Sequence, residues 1–423
     1  MWSPSDTPDW LRTGLDHLWF PYTQMKTMTP PLPAVETRGS EIVLADGRRL
    51  VDGVASWWTA AHGYNHPHIL EAMTEQMARL PHVMFGGLMN EPAARLAGRL
   101  AAKLPGDLNR CFFAESGSVS VEVAMKMAVQ YRLNRGEQRS KILCFEGGYH
   151  GDTIATMAVC DPEEGMHSRF AGLLPRHVVA PLPVDGERRG HVAALVEAHG
   201  HELAAILIEP LVQGAGGMRF HDAELLRFLR ELADAHGLML IFDEIFVGFG
   251  RTGALFACEK AGVVPDIVTL SKALTGGVAP LSACVATERV FEGFWSDDPE
   301  HALMHGPTYM AHALGCAAAN ASLDLFETED RLAQAAAIEA QLAAELAPAR
   351  DLPGVRDVRT LGAIGVVELD TPPDTERLRA RFIDRGVWVR PFGSIVYLTP
   401  ALTIAADDLS RLTGAIIAEL RAG

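Results

Sequence analysis

Between residues 90 and 320, short unbroken apolar runs alternate with stretches whose apolar positions recur every three or four residues. The unbroken runs 142–145 (ILCF), 204–209 (AAILIE), 238–243 (LMLIFD), 266–271 (DIVTLS) and 282–286 (SACVA) predict strands buried on both faces. Residues 222–236 place Leu225, Leu226, Leu229, Leu232 and Ala233 on one side, which predicts an amphipathic helix. Unalternating strands separated by helices predict an α/β fold with a mainly parallel sheet covered on both faces. Outside this stretch the pattern changes. The first 60 residues are rich in Pro, Trp and polar groups, with a predicted hairpin, EIVLADGRRLVDG, turning at Asp46-Gly47. From about 323 the chain is Ala-rich and helical, passes through short strands and turns at 353–400, and ends in a helix at 406–421. The expected organisation is a large domain over 61–322, and a smaller α+β domain built from 1–60 and 323–423 together.

Composition narrows the class of partner. Net charge is −16, and no basic patch interrupts it, which argues against nucleic acid and anionic membrane. The most apolar stretch, Ile267 to Ala286, carries Lys272 and several Gly and Pro breakers, so it does not read as a membrane span. The six cysteines are scattered without metal-like spacing, as free thiols in a reducing compartment would be. The opening MWSPSDTPDW lacks a basic start followed by an apolar core, and the expected location is cytoplasmic.

Two residues at predicted strand ends carry the chemistry. Lys272 lies in DIVTLSKALTGG, and Asp243, 29 residues before it, in LMLIFDEIFVGFGRTG. A lysine that bonds to an aldehyde and an acid that holds a pyridinium nitrogen are the two fixed handles of pyridoxal phosphate (PLP). Open α/β sheets bind their ligands at strand ends. A crowded site is expected to depress the Lys272 amine through desolvation and a nearby cation. Asp243 is equally readable as a helix cap or, with Glu244 beside it, a metal ligand. ESGSVSVEVAMKMA (115–128) reads as a small-residue turn entering a helix, where Gly117 and Ser118 suit a phosphate; an ordinary Ser N-cap has the same look. FEGGYHGDT (145–153) offers Tyr149 to lie on a cofactor ring, or as simple packing, with Asp152 as a loop brace. HGPTYM (305–310) offers Thr308 to a phosphate. Arg390, in the apolar run VWVRPFG, wants a carboxylate, from a substrate or from an internal ion pair.

The order and spacing of these segments resemble the class III (omega) aminotransferases of PLP fold type I over nearly the whole chain. IFDEIFVGFGRTG is similar to their pyridinium-binding signature and DIVTLSKALTGG to their lysine motif. Within the family the chain is most similar to the biotin-pathway branch. The carrying segments are WFPYTQM (19–25), ASWWTAAHGYNHP (55–67), EPLVQGAGGM (209–218), HGPTYMAHALGCAAANASL (305–323) and VRPFGSIVYLTP (389–400). The resemblance implies transamination from S-adenosylmethionine to 8-amino-7-oxononanoate. It implies a homodimer with shared active sites, in which Gly117, Ser118, Pro307 and Thr308 hold the phosphate and Thr308 reaches across from the second subunit. It implies further that Tyr149 stacks on the cofactor, that Asp243 pairs its nitrogen and that Lys272 is catalytic. Trp57, Tyr149, Gly306 and Arg390, with Tyr22 and Tyr397 beside them, are implied at the substrate. Ala215 stands where ornithine and 4-aminobutyrate aminotransferases carry a glutamate that masks a substrate-binding arginine. Phe246-Val247 replaces a smaller pair, and TPALTI (399–404) lacks the usual second proline and aromatic. An amine–pyruvate transaminase, a PLP isomerase or racemase, or a PLP-binding regulator would keep some of the same residues.

Overall fold

Seven strands form the central sheet, in the spatial order 108–114, 282–287, 267–270, 239–243, 203–208, 141–145, 178–180. The five from 267–270 to 178–180 run parallel. Strand 282–287 runs antiparallel to both of its neighbours, so the sheet is mainly and not wholly parallel. The computed structural model describes residues 8–161 and 167–422. The opening MWSPSDT, part of the N-terminus read for a targeting signal, lies outside the described residues.

All five strands expected from apolar runs are present, and every residue of 203–208, 239–243, 267–270 and 282–287 is buried. Strands 108–114 and 178–180 were not foreseen. In the first, exposed Asn109 and Arg110 follow Leu108 and break the apolar run, and the second is three residues long. The expected helix is observed as Ala223–Ala235, with Asp222 accepting the Leu225 N–H at 2.9 Å as its N-cap.

The expected hairpin pairs 41–44 with 49–52, with Gly47 at φ +85° in its turn. Strand 387–388 joins it in parallel, so residues from the two ends of the chain share one four-stranded sheet. A second sheet holds 355–361, 364–369 and 395–398, with helix Arg331–Leu346 packed on it; helix Ala406–Ala422 packs on that helix and on strands 49–52 and 387–388 of the first sheet. Strands 239–243 and 267–270 lie side by side, Asp243 paired with Thr269, so Asp243 and the turn holding Lys272 leave adjacent strands at the same edge. That edge is the carboxyl end of the parallel strands, where open α/β sheets place their ligands.

Candidate active site

A cavity of about 330 Å³ opens at this edge, bordered by Gly117, Ser118, Tyr149, Asp243 and Lys272. At one end stands the N-terminus of the 18-residue helix Gly117–Asn134, with its unpaired N–H groups. Ser116, not Ser118, caps this helix, accepting the Val119 N–H at 3.3 Å. The Ser118 hydroxyl is left for a cluster with Thr153 Oγ1 and Thr156 Oγ1, both at 2.9 Å, and Ser118 and Thr153 border the cavity. Gly151, at φ +125°, lets this loop lie against Ser118; a Cβ would collide with it.

Asp243 is buried and borders the same cavity. His150 donates from Nδ1 to Asp243 Oδ2 at 2.8 Å, and the Ile245 N–H donates to Oδ1 at 3.1 Å. Burial pulls the His150 pKa down, but its bond to Asp243 and the charges of Asp243 and Glu209 outweigh this and hold it above the ordinary value. Glu209, also buried, borders the same cavity and accepts the N–H groups of Tyr149 at 3.0 Å and Gly214 at 2.9 Å. Desolvation raises its carboxyl to about 7. Glu244 faces away from the cavity, toward the N–H groups of Ala257 at 2.5 Å and Cys258 at 2.8 Å. Among the described residues no three His, Cys, Asp or Glu side chains are grouped to hold a metal ion.

Lys272 borders this cavity and a second, larger one. Desolvation lowers its amine pKa, partly offset by the charges of Asp243 and Glu209. The expected neighbouring cation is a correction: the charges that act on Lys272 are carboxylates, and its Nζ sits 4.9 Å from the Trp58 ring and 5.7 Å from the Phe246 ring.

The second cavity, of about 990 Å³, is bordered by Tyr22, Trp57, Trp58, Tyr149, Lys272, Arg390 and Tyr397, with Ala215 and Gly216 in its wall. A Cβ on Gly216 would collide with the Gly147 carbonyl, so that close approach requires glycine. Tyr22 donates to Asp152 Oδ2 at 2.5 Å and lies 3.3 Å from the Tyr149 hydroxyl, which donates to Asp152 Oδ1 at 3.0 Å. His167 Nε2 reaches the same carboxylate at 2.9 Å, so Asp152 ties three side chains of this wall together. Tyr397 is buried against Trp58, with ring centroids 5.8 Å apart.

The Arg390 guanidinium lies 4.5 Å from the centre of the Trp57 ring. Among the described residues no carboxylate lies within ion-pair distance of it, although the charge of Glu376 acts on it from farther off. Desolvation lowers its pKa; it is half-buried. A half-buried unpaired cation costs free energy that an incoming anion recovers.

Gly306, Pro307 and Thr308 border neither cavity, and Gly306 and Thr308 are exposed. Sequence reasoning did not single out His150, Thr153, Glu209 or Ile245. Of these, His150 and Thr153 had a signal in the same glycine-flanked loop as Tyr149.

The Aminotransferase class-III family profile matches residues 22–420. A relative from Mycobacterium leprae, an adenosylmethionine-8-amino-7-oxononanoate aminotransferase, is 44% identical over 411 residues, covering 95% of this chain and 94% of its own. The crystal structure of the enzyme of the same name from Methanocaldococcus jannaschii superposes with a TM-score of 0.94 at 30% identity, covering 98% of this chain and 99% of that one. An amine transaminase from an uncultivated Pseudomonas species, in a PLP-bound form, gives 0.88 at 30% identity, covering 96% and 98%. The chain belongs to the class III aminotransferase family.

Proposed function

We propose that this chain is a PLP-dependent aminotransferase that moves the amino group of S-adenosylmethionine to 8-amino-7-oxononanoate, giving 7,8-diaminononanoate for biotin synthesis. The observation that carries the acceptor is Arg390, which has no ion-pair partner among the described residues and is set over Trp57 in the cavity that Lys272 also borders. The smaller cavity suits PLP: a helix N-terminus and hydroxyls for a phosphate, a buried carboxylate for a ring nitrogen, and one amine.

When bound, PLP supplies an aldehyde carbon that takes up an amine and a ring that accepts electrons from the neighbouring C–H bond. Gly117 and Ser118 would hold its phosphate, Asp243 its ring nitrogen and Tyr149 a face of its ring. His150 keeps Asp243 oriented and supports it with a hydrogen bond. Lys272, whose lowered pKa favours the neutral amine, moves the proton away from the donor Cα. Arg390 binds the acceptor carboxylate, and Trp57, Tyr22 and Tyr397 close around the chain between. The sulfonium and adenine of the donor suit the aromatic walls.

Gly306, Pro307 and Thr308 serve the site of a second copy in a homodimer with shared active sites. Their position outside both cavities that Lys272 borders supports that reading. Residues 61–322 act as the PLP-binding domain, and 1–60 with 323–423 as the smaller one, supported by the sheet that strands 49–52 and 387–388 share. Among the described residues no helix is long and apolar enough to cross a membrane. Six free thiols support a reducing, cytoplasmic setting.

The test is to mix holoenzyme with S-adenosylmethionine, alanine, glutamate or 4-aminobutyrate in turn and follow the visible absorbance of the bound cofactor. S-Adenosylmethionine should change it, and added 8-amino-7-oxononanoate should restore it with formation of the diamine. Rapid conversion by alanine or glutamate, with S-adenosylmethionine inert, would replace this reading by a general omega-transaminase.

A further inference from the structure

One turn of the chain has the wrong hand. At Ala55, Ser56, Trp57 and Trp58, φ is +44°, +46°, +56° and +66°. None of the four is glycine, and an L-residue in this region brings its Cβ against the following carbonyl oxygen. Non-glycine residues visit it singly, and four in succession persist only where the surroundings over-determine them. The Trp58 N–H donates to the Val54 carbonyl and the Thr59 N–H to the Ala55 carbonyl, both at 2.9 Å, closing one left-handed turn.

A buried carboxylate holds this turn. Asp52 Oδ1 accepts the Val54 N–H at 2.8 Å, and Oδ2 accepts the Ser56 N–H at 2.9 Å. Tyr64 donates its hydroxyl to Oδ2 at 2.5 Å and accepts the Ser56 hydroxyl at 2.5 Å. Asp52 has no ion-pair partner among the described residues and borders neither cavity; nor does Tyr64. Its carboxylate is therefore spent on backbone N–H groups and one phenol. From the far side, Gly277, at φ +84° after the Lys272 turn, packs on the exit of the same turn. A Cβ there would stand 3.0 Å from the Ala60 nitrogen and from the Thr59 carbonyl carbon.

The turn sets two adjacent rings on two walls of the substrate cavity. Trp58 lies 4.9 Å from the Lys272 amine and 5.4 Å from the Phe246 ring. Trp57 lies 4.5 Å from the Arg390 guanidinium. One ring faces the reacting end and its neighbour the carboxylate-binding end. A right-handed turn over the same residues would send the two side chains in other directions.

We propose that Asp52 and Tyr64 are positioning residues for the acceptor: they hold the left-handed turn that sets Trp58 against Lys272 and Trp57 against Arg390. This rests on the reading that the acceptor spans from Lys272 to Arg390. The specificity of the site then depends on a carboxylate that touches no substrate.

The test compares holoenzymes carrying Asp52→Asn, Tyr64→Phe and Tyr64→Phe with Ala55→Gly. Near-ultraviolet circular dichroism and the cofactor's visible band are recorded without substrate, then KM and kcat for the acceptor. Tyr64→Phe should keep the far-ultraviolet spectrum and the cofactor band but alter the aromatic signal. Its acceptor KM should rise about tenfold with kcat changed less than about threefold. Asp52→Asn should do more in the same direction; if it does not fold, Tyr64→Phe carries the test. Ala55→Gly removes a strained Cβ and no hydrogen bond of the cluster, so it should restore part of the loss. An unchanged aromatic signal in Tyr64→Phe overturns the proposal. So does an equal loss in every kinetic parameter without rescue by Ala55→Gly. A wild-type enzyme that ignores the acceptor would sink the functional reading instead, and the spectrum and its rescue would still decide this one.

Discussion

Arg390→Ala is the substitution that separates the two halves of the proposed reaction. In the wild type the guanidinium is half-buried, carries no ion pair among the described residues, and rests on the Trp57 ring at 4.5 Å. Removing it exposes the acceptor carboxylate to a partly dry wall with no countercharge. Truncating one partner of a buried, hydrogen-bonded charge pair costs about 2–5 kcal/mol. Because Arg390 is only half-buried, the lower part of that range applies, about 2–3 kcal/mol, or roughly 30- to 150-fold in acceptor affinity. The lost contact with Trp57 is worth about 0.5–1 kcal/mol at an exposed site and falls mainly on the free protein. Arg390→Lys should lie between, because an ammonium keeps the charge and loses the fork. The assay is single-turnover kinetics on each half separately. S-Adenosylmethionine is added to the PLP form, and 8-amino-7-oxononanoate to the aminated form. The donor half should barely change while the acceptor half weakens by the stated factor. Equal damage to both halves would refute the assignment and make Arg390 structural.

Lys272→Ala should retain the cofactor weakly and lose transamination, as measured by diamine formation; turnover near the wild-type rate would contradict its role. Asp243→Asn should keep the fold by circular dichroism and slow the donor half-reaction by roughly 100-fold or more, the order expected for losing about 3–4 kcal/mol of charge pairing. Mixing Lys272→Ala with Thr308→Ala subunits should return partial activity, since one site of a mixed dimer then carries both lesions and the other neither. No recovery despite demonstrated subunit exchange would count against shared sites. Glu209, raised from 4.5 to about 7 by burial, binds a proton more tightly folded than unfolded, so its contribution is complete below pH 4.5 and is lost as pH rises through about 7. Glu209→Gln should therefore flatten the fall in apo-protein stability over that window by at most ~3 kcal/mol, read from denaturant melts at several pH values. An identical pH slope in both proteins would show that the buried carboxyl is not the cause.

Most of the central sheet and its chemical edge are legible in the sequence. Runs such as LMLIFD and DIVTLS are apolar on both faces, a pattern that only a covered, mainly parallel sheet accommodates. Asp243 and Lys272 stood out because a charged residue at the end of such a run is costly unless it has a task. Strand 108–114 escapes notice because Asn109 and Arg110 interrupt its apolar run straight after Leu108. What the tertiary structure alone decided were relations between distant positions. His150 and Asp243 are 93 residues apart and share one hydrogen bond, and no local pattern announces the pair. Ser118 is freed from capping because Ser116 performs it and because Thr153 and Thr156 fold over the hydroxyl. The two carboxylates around Lys272, where a cation was expected, come from the end of strand 239–243 (Asp243) and from the residue after strand 203–208 (Glu209). Arg390 has two equal readings in the sequence, and only the fold shows the Trp57 ring beneath its guanidinium and no ion-pair partner for it among the described residues. The left-handed turn at Ala55–Trp58 is the extreme case. Nothing in Ala-Ser-Trp-Trp favours positive φ, and local sterics oppose it. It exists because Asp52, Tyr64 and the chain after Lys272 meet around it, and such convergence is a property of the folded chain.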